Sequence, residues 1–164
     1  MQTFDKIVEL LQAHDIPFRV CEHEGEGRCD VISKIRGNEL SQAMKAMVIM
    51  AKMNKKDRKY YLAVIPGNQS LDMNAIKRFS GALEGVMLAP ADRAKAFTEC
   101  EMGAVPPFSF NKELHLIVDP SIKKNKEIVF NAGALDRSIF MSVDDYIKVV
   151  NPDFVEITKK SALF

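Results

Sequence analysis

The sequence predicts an α+β fold in which strands joined by hairpins are interspersed with helices. Two short apolar runs, residues 46–51 and 60–65, flank a charged turn and therefore predict a β-hairpin. Helical patterns do not alternate strictly with the strands, which argues against a doubly wound parallel sheet. No glycine-rich phosphate loop follows a predicted strand, so nucleotide hydrolysis and Rossmann-type cofactor use are disfavoured.

The N-terminal segment predicts two helices separated by a strand. Four apolar residues recur at helical spacing in the first helix: Phe4, Ile7, Val8 and Leu11. Thr3 is the expected N-cap, and Pro17 stops the helix. Residues 16–20 alternate apolar and polar side chains, as in a half-buried strand. Asp30 then caps a short helix that Gly37 closes.

The segment after the hairpin predicts two further helices around a short strand. Asp72 is the expected cap of the first of them, and Gly81 suits its C-terminal end. Residues 86–88 form the short strand. Pro90 stands where a first helical residue belongs, and it begins a helix toward Phe97.

The C-terminal part predicts more strands and one helix. The strands are residues 114–118, 127–130, 139–141 and 154–157. The first two are joined through Asp119-Pro120, and Asn131-Ala132-Gly133 interrupts the sheet. Ser142 with Asp145 resembles a capping box, with Asp in place of the usual Glu or Gln, and opens the last helix.

The size and composition of the chain limit the classes of protein to which it can belong. A chain of 164 residues with 47% apolar residues is expected to form one domain, residues 1–164, with a real core. The net charge of +1 demands no polyanion partner, so nucleic-acid binding would rest on local basic clusters. There is no secretory pattern, no apolar run long enough to span a bilayer, and no CxxC pair among three cysteines. We therefore expect a cytoplasmic protein that does not enter a membrane. The oligomeric state is left open, with a monomer favoured.

Two features could carry chemistry. Gly103-Ala104-Val105-Pro106-Pro107-Phe108 is a stiff loop whose glycine end exposes backbone amides, which suits holding a carbonyl or phosphate oxygen. Most glycine-to-proline segments are only turns. Lys45 stands just before the buried strand at residues 46–51 and can place its charge against a phosphate or carbonyl. A single lysine more commonly extends along apolar surface into water.

Cys21, His23 and Cys29 raise the alternative of a zinc-dependent hydrolase. However, C-x-H-x5-C is not a recognised ligand spacing, and no fourth ligand is nearby in the sequence. We therefore expect neither a metal nor another cofactor. No Gly-x-Ser-x-Gly elbow or Cys/His signature marks a protein nucleophile.

Three stretches together resemble the YbaK/prolyl-tRNA-synthetase-associated editing domain. These stretches are residues 45–48 (Lys-Ala-Met-Val), residues 103–108, and Asn131-Ala132-Gly133, in the family's order and at about its intervals. The resemblance extends from roughly His23 to Ile157. It implies a mixed, largely antiparallel, barrel-like sheet with helices packed around it.

The resemblance also implies an activity. Members hydrolyse mischarged aminoacyl-tRNA, most often tRNA for proline carrying a wrong small amino acid. The ester is already activated, so the enzyme mainly positions a water and stabilises the oxyanion. Members are thought to use the terminal ribose hydroxyl of the tRNA to help activate that water. The implied partners are the 3′ acceptor end of aminoacyl-tRNA and, in addition, prolyl-tRNA synthetase.

Carried onto this chain, the resemblance implies two catalytic groups. Lys45 contacts the terminal phosphate or the ester carbonyl, and backbone amides beginning at Gly103 hold the acyl carbonyl. The implied substrate-binding positions are Phe18, His23, Ala104, Val105, Pro106, Pro107, Asn131, Gly133 and Ser138. Of these, residues 105–107 wall a pocket for a small side chain, Asn131 and Gly133 line its opposite side, and Phe18 and His23 flank the terminal adenosine.

The chain departs from the family pattern after the Ala-Gly turn, where some members carry an acidic residue or histidine. Here Ser138 stands at that position, with Asp136 two residues earlier, so the amino acid removed is left open. The alternative function is a non-catalytic tRNA- or synthetase-binding module on the same scaffold.

Overall fold

Two sheets and five α-helices make up residues 1–160, the part of the chain described by this computed structural model. The strands are β1 (Phe18–Glu22), β2 (Met44–Lys52), β3 (Arg58–Pro66), β4 (Val86–Leu88), β5 (Leu114–Val118), β6 (Glu127–Ala134), β7 (Arg137–Ser142) and β8 (Asp153–Phe154). The helices are α1 (Thr3–Ala13), α2 (Cys29–Arg36), α3 (Met73–Ser80), α4 (Ala91–Thr98) and α5 (Val143–Val150).

The larger sheet is built on the β2–β3 hairpin, and its strand order is β4-β2-β3-β5-β8. β2 pairs antiparallel with β3 and β4, whereas β5 pairs in parallel with β3 and β8. The hairpin register places Lys45 opposite Ile65 and Ala51 opposite Lys59. Residues directly opposite each other project from the same face of a sheet, so all four share one face.

The smaller sheet is antiparallel, with the order β1-β7-β6. The register of β6 against β7 shifts between Asn131 and Ala134, which marks a bulge. One parallel bridge, between Ala43 and Val129, connects this sheet to the segment that enters β2. The bulge and the bridge bring the end of β6 beside the beginning of β2.

The main core lies between the two sheets and the helices α1 and α5. Its buried members include Ile7, Leu11, Val48, Leu62, Phe130, Ile139 and Tyr146. The Tyr146 hydroxyl is buried and donates a hydrogen bond to the Pro107 carbonyl oxygen at 2.6 Å. This bond fastens the glycine-and-proline loop to the core.

A second core covers the other face of the larger sheet, where α3 packs over Ile49, Ala63 and Ile65 through Ile76. The Asp72 carboxylate caps α3 by accepting from the Ala75 N–H at 3.1 Å, as predicted. Within residues 1–160, no helix is both long and apolar enough to cross a bilayer.

The predicted α+β class, the hairpin and the largely antiparallel pairing are confirmed. The barrel-like closure is wrong, because the strands form two separate sheets that share a single bridge. The strands at residues 114–118 and 127–130 belong to different sheets, since the 3₁₀ segment Pro120–Lys124 redirects the chain between them.

The predicted and observed helices also differ at their ends. Gln2, not Thr3, occupies the N-cap of α1, and Thr3 is buried in the first turn against Gly133. Helix α1 ends at Ala13, before Pro17, because the chain turns at Asp15 with a φ of 54°.

Arg28 precedes α2 where Asp30 was expected, and Pro90 occupies the N-cap of α4, one position before the expected one. Ser142 caps α5 as predicted, by accepting from the Asp145 N–H. The alternation predicted for residues 16–20 is imperfect, since Val20 is 42% exposed.

Strand boundaries near the candidate site also differ. Asn131-Ala132-Gly133 does not interrupt β6, because the bulge absorbs the irregularity and the strand continues to Ala134. Lys45 lies inside β2 rather than before it. Of the predicted C-terminal strand, Asp153 and Phe154 form β8.

Candidate active site

Lys45 lies at the beginning of β2, and a hydrogen bond from its ammonium group holds its side chain in place. The Nζ donates to the Gln69 carbonyl oxygen at 3.0 Å, which orients a side chain that is only partly buried. Lys45 also lines a small cavity together with Gly103 and Val105 of the glycine-and-proline loop. The cavity has a volume of about 50 Å³. Lys45 and the loop, 58 positions apart in the sequence, thus border one space.

Position 103 requires glycine, both for its backbone conformation and for the space around it. Its φ is +86°, and a Cβ placed there would lie 2.6 Å from the Cα of Gly27. The two glycines let the segment after β1 and the glycine-and-proline loop pack backbone against backbone. Gly27 lines the same cavity.

Asn131 joins these two segments. Its Nδ2 donates to the Glu26 carbonyl oxygen at 2.9 Å and to the Gly103 carbonyl oxygen at 2.8 Å. Both protons of the amide are thus used, and the side chain is 8% exposed. Asn131 therefore holds the segment after β1 against the glycine-and-proline loop, and it also lines the cavity.

Ser138 supports Asn131 from behind. It is fully buried, and its hydroxyl donates to Asn131 Oδ1 at 3.1 Å. The hydroxyl oxygen of Ser138 in turn accepts a hydrogen bond from Arg36 Nη1 at 3.0 Å, and it lies 2.7 Å from His23 Nε2. Four side chains from β6, β7, α2 and the segment after β1 therefore form one network.

The cavity carries two cationic side chains, Lys45 and Arg36. Burial lowers the pKa of Arg36 to about 10, so the guanidinium is still charged at neutral pH. Burial also raises the pKa of the Cys29 thiol, although Lys45 and Arg36 act in the opposite direction. Within residues 1–160, neither cation forms an ion pair with a carboxylate. Positive charge is thus left available for an anionic or polarised group.

Backbone donors are available on the other wall. The Ala104 N–H donates to the Glu101 carbonyl oxygen at 3.0 Å. In the part of the chain that the structure describes, the N–H groups of Gly103 and Val105 donate to no protein group. Two free amides beside two cations can stabilise an oxyanion.

The remaining implied residues lie elsewhere. Ala104 and Gly133 border a different cavity, of about 500 Å³, beside the first residues of α1. Pro106 borders a third cavity between α1 and α4, and Pro107 is buried. Phe18 packs against the main core. The structure thus brings together Lys45, Gly103, Val105 and Asn131, with Ser138 and His23 behind them.

The zinc alternative gains no support. In residues 1–160, no three side chains of His, Cys, Asp or Glu are grouped to bind a metal. Instead, the two ring nitrogens of His23 lie within hydrogen-bonding distance of Ser138 Oγ and the Glu24 carbonyl oxygen.

Sequence reasoning missed Arg36, Cys29 and Gly27 as cavity residues. Arg36 ends a predicted helix, and nothing in its neighbours shows that the guanidinium turns inward to Ser138 and Asn38. Gly27 had a usable signal, since two glycines in the loop before α2 permit close backbone approach.

The fold and the cavity define a class: an α+β protein with a small polar site between a strand lysine and a glycine loop. Residues 23–149 match the family model of the aminoacyl-tRNA editing domain. The multifunctional Ser/Thr-tRNA deacylase ProXp-y of Escherichia coli is 35% identical over 158 residues, which is 96% of this chain and 93% of that protein. This chain belongs to the aminoacyl-tRNA editing domain family.

One more distant relative and one solved structure, which at 17% identity bears on the fold alone, are also similar to this chain. The candidate Cys-tRNA(Pro)/Cys-tRNA(Cys) deacylase EbsC of Enterococcus faecalis is 25% identical over 156 residues, 93% of this chain and 92% of that protein. The crystal structure of a candidate trans-editing enzyme for prolyl-tRNA synthetase superposes with a TM-score of 0.79 at 17% identity, covering 98% of this chain and 99% of that one.

Membership confirms two predictions, the editing-domain fold and an aminoacyl-tRNA deacylase that hydrolyses mischarged aminoacyl-tRNA. The predicted enzyme is therefore favoured over the non-catalytic module.

Replacing Gly103 by alanine tests the packing of the two loops. Gly103→Ala should destabilise the protein by about 1–3 kcal/mol more than Gly81→Ala, because both positions have positive φ but only Gly103 meets a backbone atom. Urea unfolding of both variants measures the difference. Equal losses of stability would show that the contact with Gly27 carries no constraint.

Proposed function

We propose that the protein is a trans-editing deacylase that removes a small non-cognate amino acid, of the size of serine or threonine, from tRNA, with tRNA for proline as the first candidate. The observation that carries the proposal is the cavity bordered by Lys45, Gly103, Val105 and Asn131. The name of the Escherichia coli relative supports the choice of serine and threonine.

The size of the cavity supports a small acyl group. Its volume is about 50 Å³, against about 500 Å³ for the cavity that Ala104 and Gly133 border. Bulky side chains do not fit without rearrangement of the walls. Lys45 and Cys29 offer polar contacts at this cavity, which suits a hydroxyl better than a purely apolar side chain.

The chemistry requires little from the protein. In an aminoacyl ester, attack of water on the carbonyl carbon forms a tetrahedral oxyanion, and collapse of that intermediate releases the ribose oxygen and the amino acid. The free N–H groups of Gly103 and Val105 are the donors we assign to the oxyanion. The ribose hydroxyl next to the ester is the group we assign to help activate the water, because no protein base borders the cavity among the described residues.

Lys45 supplies the charge in this scheme. Its hydrogen bond to Gln69 leaves two ammonium protons for the substrate, and the bond fixes the ammonium before the substrate arrives. We assign it to the ester carbonyl or the terminal phosphate. Arg36 raises the positive potential of the same space, and it also anchors Ser138.

The partner is the 3′ acceptor end of the aminoacyl-tRNA. We further propose that the protein acts as a single domain in the cytoplasm, where tRNA is charged, and that prolyl-tRNA synthetase delivers the substrate. The structural similarity to the candidate trans-editing enzyme for prolyl-tRNA synthetase supports the proposal that this synthetase delivers the substrate.

A panel of mischarged tRNAs tests the choice of amino acid. Single-turnover hydrolysis of tRNA for proline charged with serine, threonine, alanine or cysteine should be fastest for serine or threonine, because the cavity combines small size with polar walls. Prolyl-tRNA is the control and should persist. Absence of turnover on every substrate, with salt-dependent binding retained, would contradict the proposal and favour the binding module.

Removing the Lys45 ammonium tests its role. Lys45→Ala should lower the single-turnover rate by about 100-fold or more at unchanged unfolding free energy, since a preorganised charge at the reacting group is lost. Lys148→Ala, an exposed lysine on α5, is the control and should retain the rate. A Lys45→Ala variant as active as the control would refute the assignment.

A further inference from the structure

The larger sheet carries a second concave site at the end of the hairpin away from Lys45. This site, the far groove, has a volume of about 520 Å³ and is lined by Arg58, Lys59, Tyr60, Tyr61, Lys112, Glu113 and His115. Three basic side chains face one acidic side chain there. Within the described residues, neither Lys59 nor Lys112 forms an ion pair, so their charges are free for a partner.

An aromatic cluster borders the far groove. The ring of Tyr61 lies 5.9 Å from that of Phe79 and 5.4 Å from that of His115, measured between centroids. Phe79 is 42% exposed, so part of its ring is open to solvent. Exposed rings beside cations are the combination that binds single-stranded nucleic acid by stacking and backbone contacts.

Two residues of the far groove, Lys59 and Tyr61, lie on the same face of the sheet as Lys45, whereas Arg58 and Tyr60 project from the opposite face. The hairpin pairs Lys45 with Ile65 and Ala51 with Lys59, and residues of the same parity share a face. Ala51 stands six positions after Lys45 in β2, so the two sites are about 20 Å apart at a rise of roughly 3.3 Å per residue.

Helix α3 connects the two sites. Its cap, Asp72, stands three positions after Gln69, which holds the Lys45 ammonium, and Phe79 in its last turn reaches Tyr61 and His115. Lys77 and Arg78 are exposed on its last turn. Positive charge therefore continues toward the far groove along the side of the helix that faces solvent.

We propose that the far groove binds the RNA strand of the acceptor end upstream of the esterified terminal nucleotide. This inference rests on the proposed function, which places the 3′ ester at Lys45. An RNA chain leading away from the ester over the exposed side of α3 meets Lys77 and Arg78 first, then Lys59 and Lys112. The phosphates pair with the basic side chains, and an unpaired base stacks on Phe79.

The proposal is tested with two substrates of different length. One is full-length mischarged tRNA, and the other is a CCA trinucleotide that carries the same amino acid and is too short to reach the far groove. Lys59→Gln/Lys112→Gln should lower kcat/KM for the tRNA by about tenfold through KM. It should also reduce the slope of log kcat/KM against log salt concentration by about 1–2. Phe79→Ala should raise KM for the tRNA by about tenfold.

The same variants should hydrolyse the trinucleotide at the rate of the unmodified protein. Arg93→Gln/Lys148→Gln is the charge-matched control, since both side chains are exposed on other helices, and it should leave both substrates unaffected.

Three outcomes would overturn the proposal. The first is a kcat/KM for tRNA that is unchanged in the far-groove variants, which would show that the groove does not bind the RNA and would favour an acidic protein partner. The second is an equal loss on both substrates, which would indicate damage to the fold. The third is an equal loss in the control, which would show that net charge alone acts. If no variant and no unmodified protein hydrolyses either substrate, the proposed function fails instead.

Discussion

The Asn131 amide is the interaction on which the site depends. Its two protons bind the carbonyl oxygens of Glu26 and Gly103, from two segments that are otherwise loops. These bonds add to the backbone contact of Gly103 with Gly27, and together they hold the two segments that border the cavity of about 50 Å³. The buried Ser138 hydroxyl holds the amide in the orientation that makes both bonds. A polar network inside the fold thus determines the shape of a pocket at its surface.

Under the proposed function, this arrangement works without a protein nucleophile. The substrate ester is reactive, so the rate depends on where the carbonyl and the water are held. Lys45 is fixed through Gln69, and the opposite amides are fixed through the contact of Gly103 with Gly27. Each wall is therefore oriented before the substrate binds. The tight glycine contact costs conformational freedom, and Tyr146 compensates by tying the same loop to the core.

Much of the fold follows from local patterns in the sequence, and the assembly of the site does not. The hairpin, the Asp72 and Ser142 caps and strand β5 are visible as periodicity and cap residues. The division into two sheets depends on long-range pairing, which local patterns do not encode. Lys45 and the Gly103 loop were candidates from the sequence pattern itself, and the family resemblance added Asn131. Arg36 was missed, because a guanidinium that turns inward looks the same in sequence as one that faces water.

The most direct test of this account is the single-turnover deacylation rate of Asn131→Asp. The carboxylate has the shape of the amide but donates no proton to Glu26 or Gly103 and faces both carbonyl oxygens, so the segment after β1 and the glycine-and-proline loop move apart. We expect the rate to fall by about 100-fold, as displacement of about 1 Å in a reacting site can cause, while circular dichroism shows a folded chain at the assay temperature. A folded Asn131→Asp protein that hydrolyses mischarged tRNA at the unmodified rate would contradict the central claim.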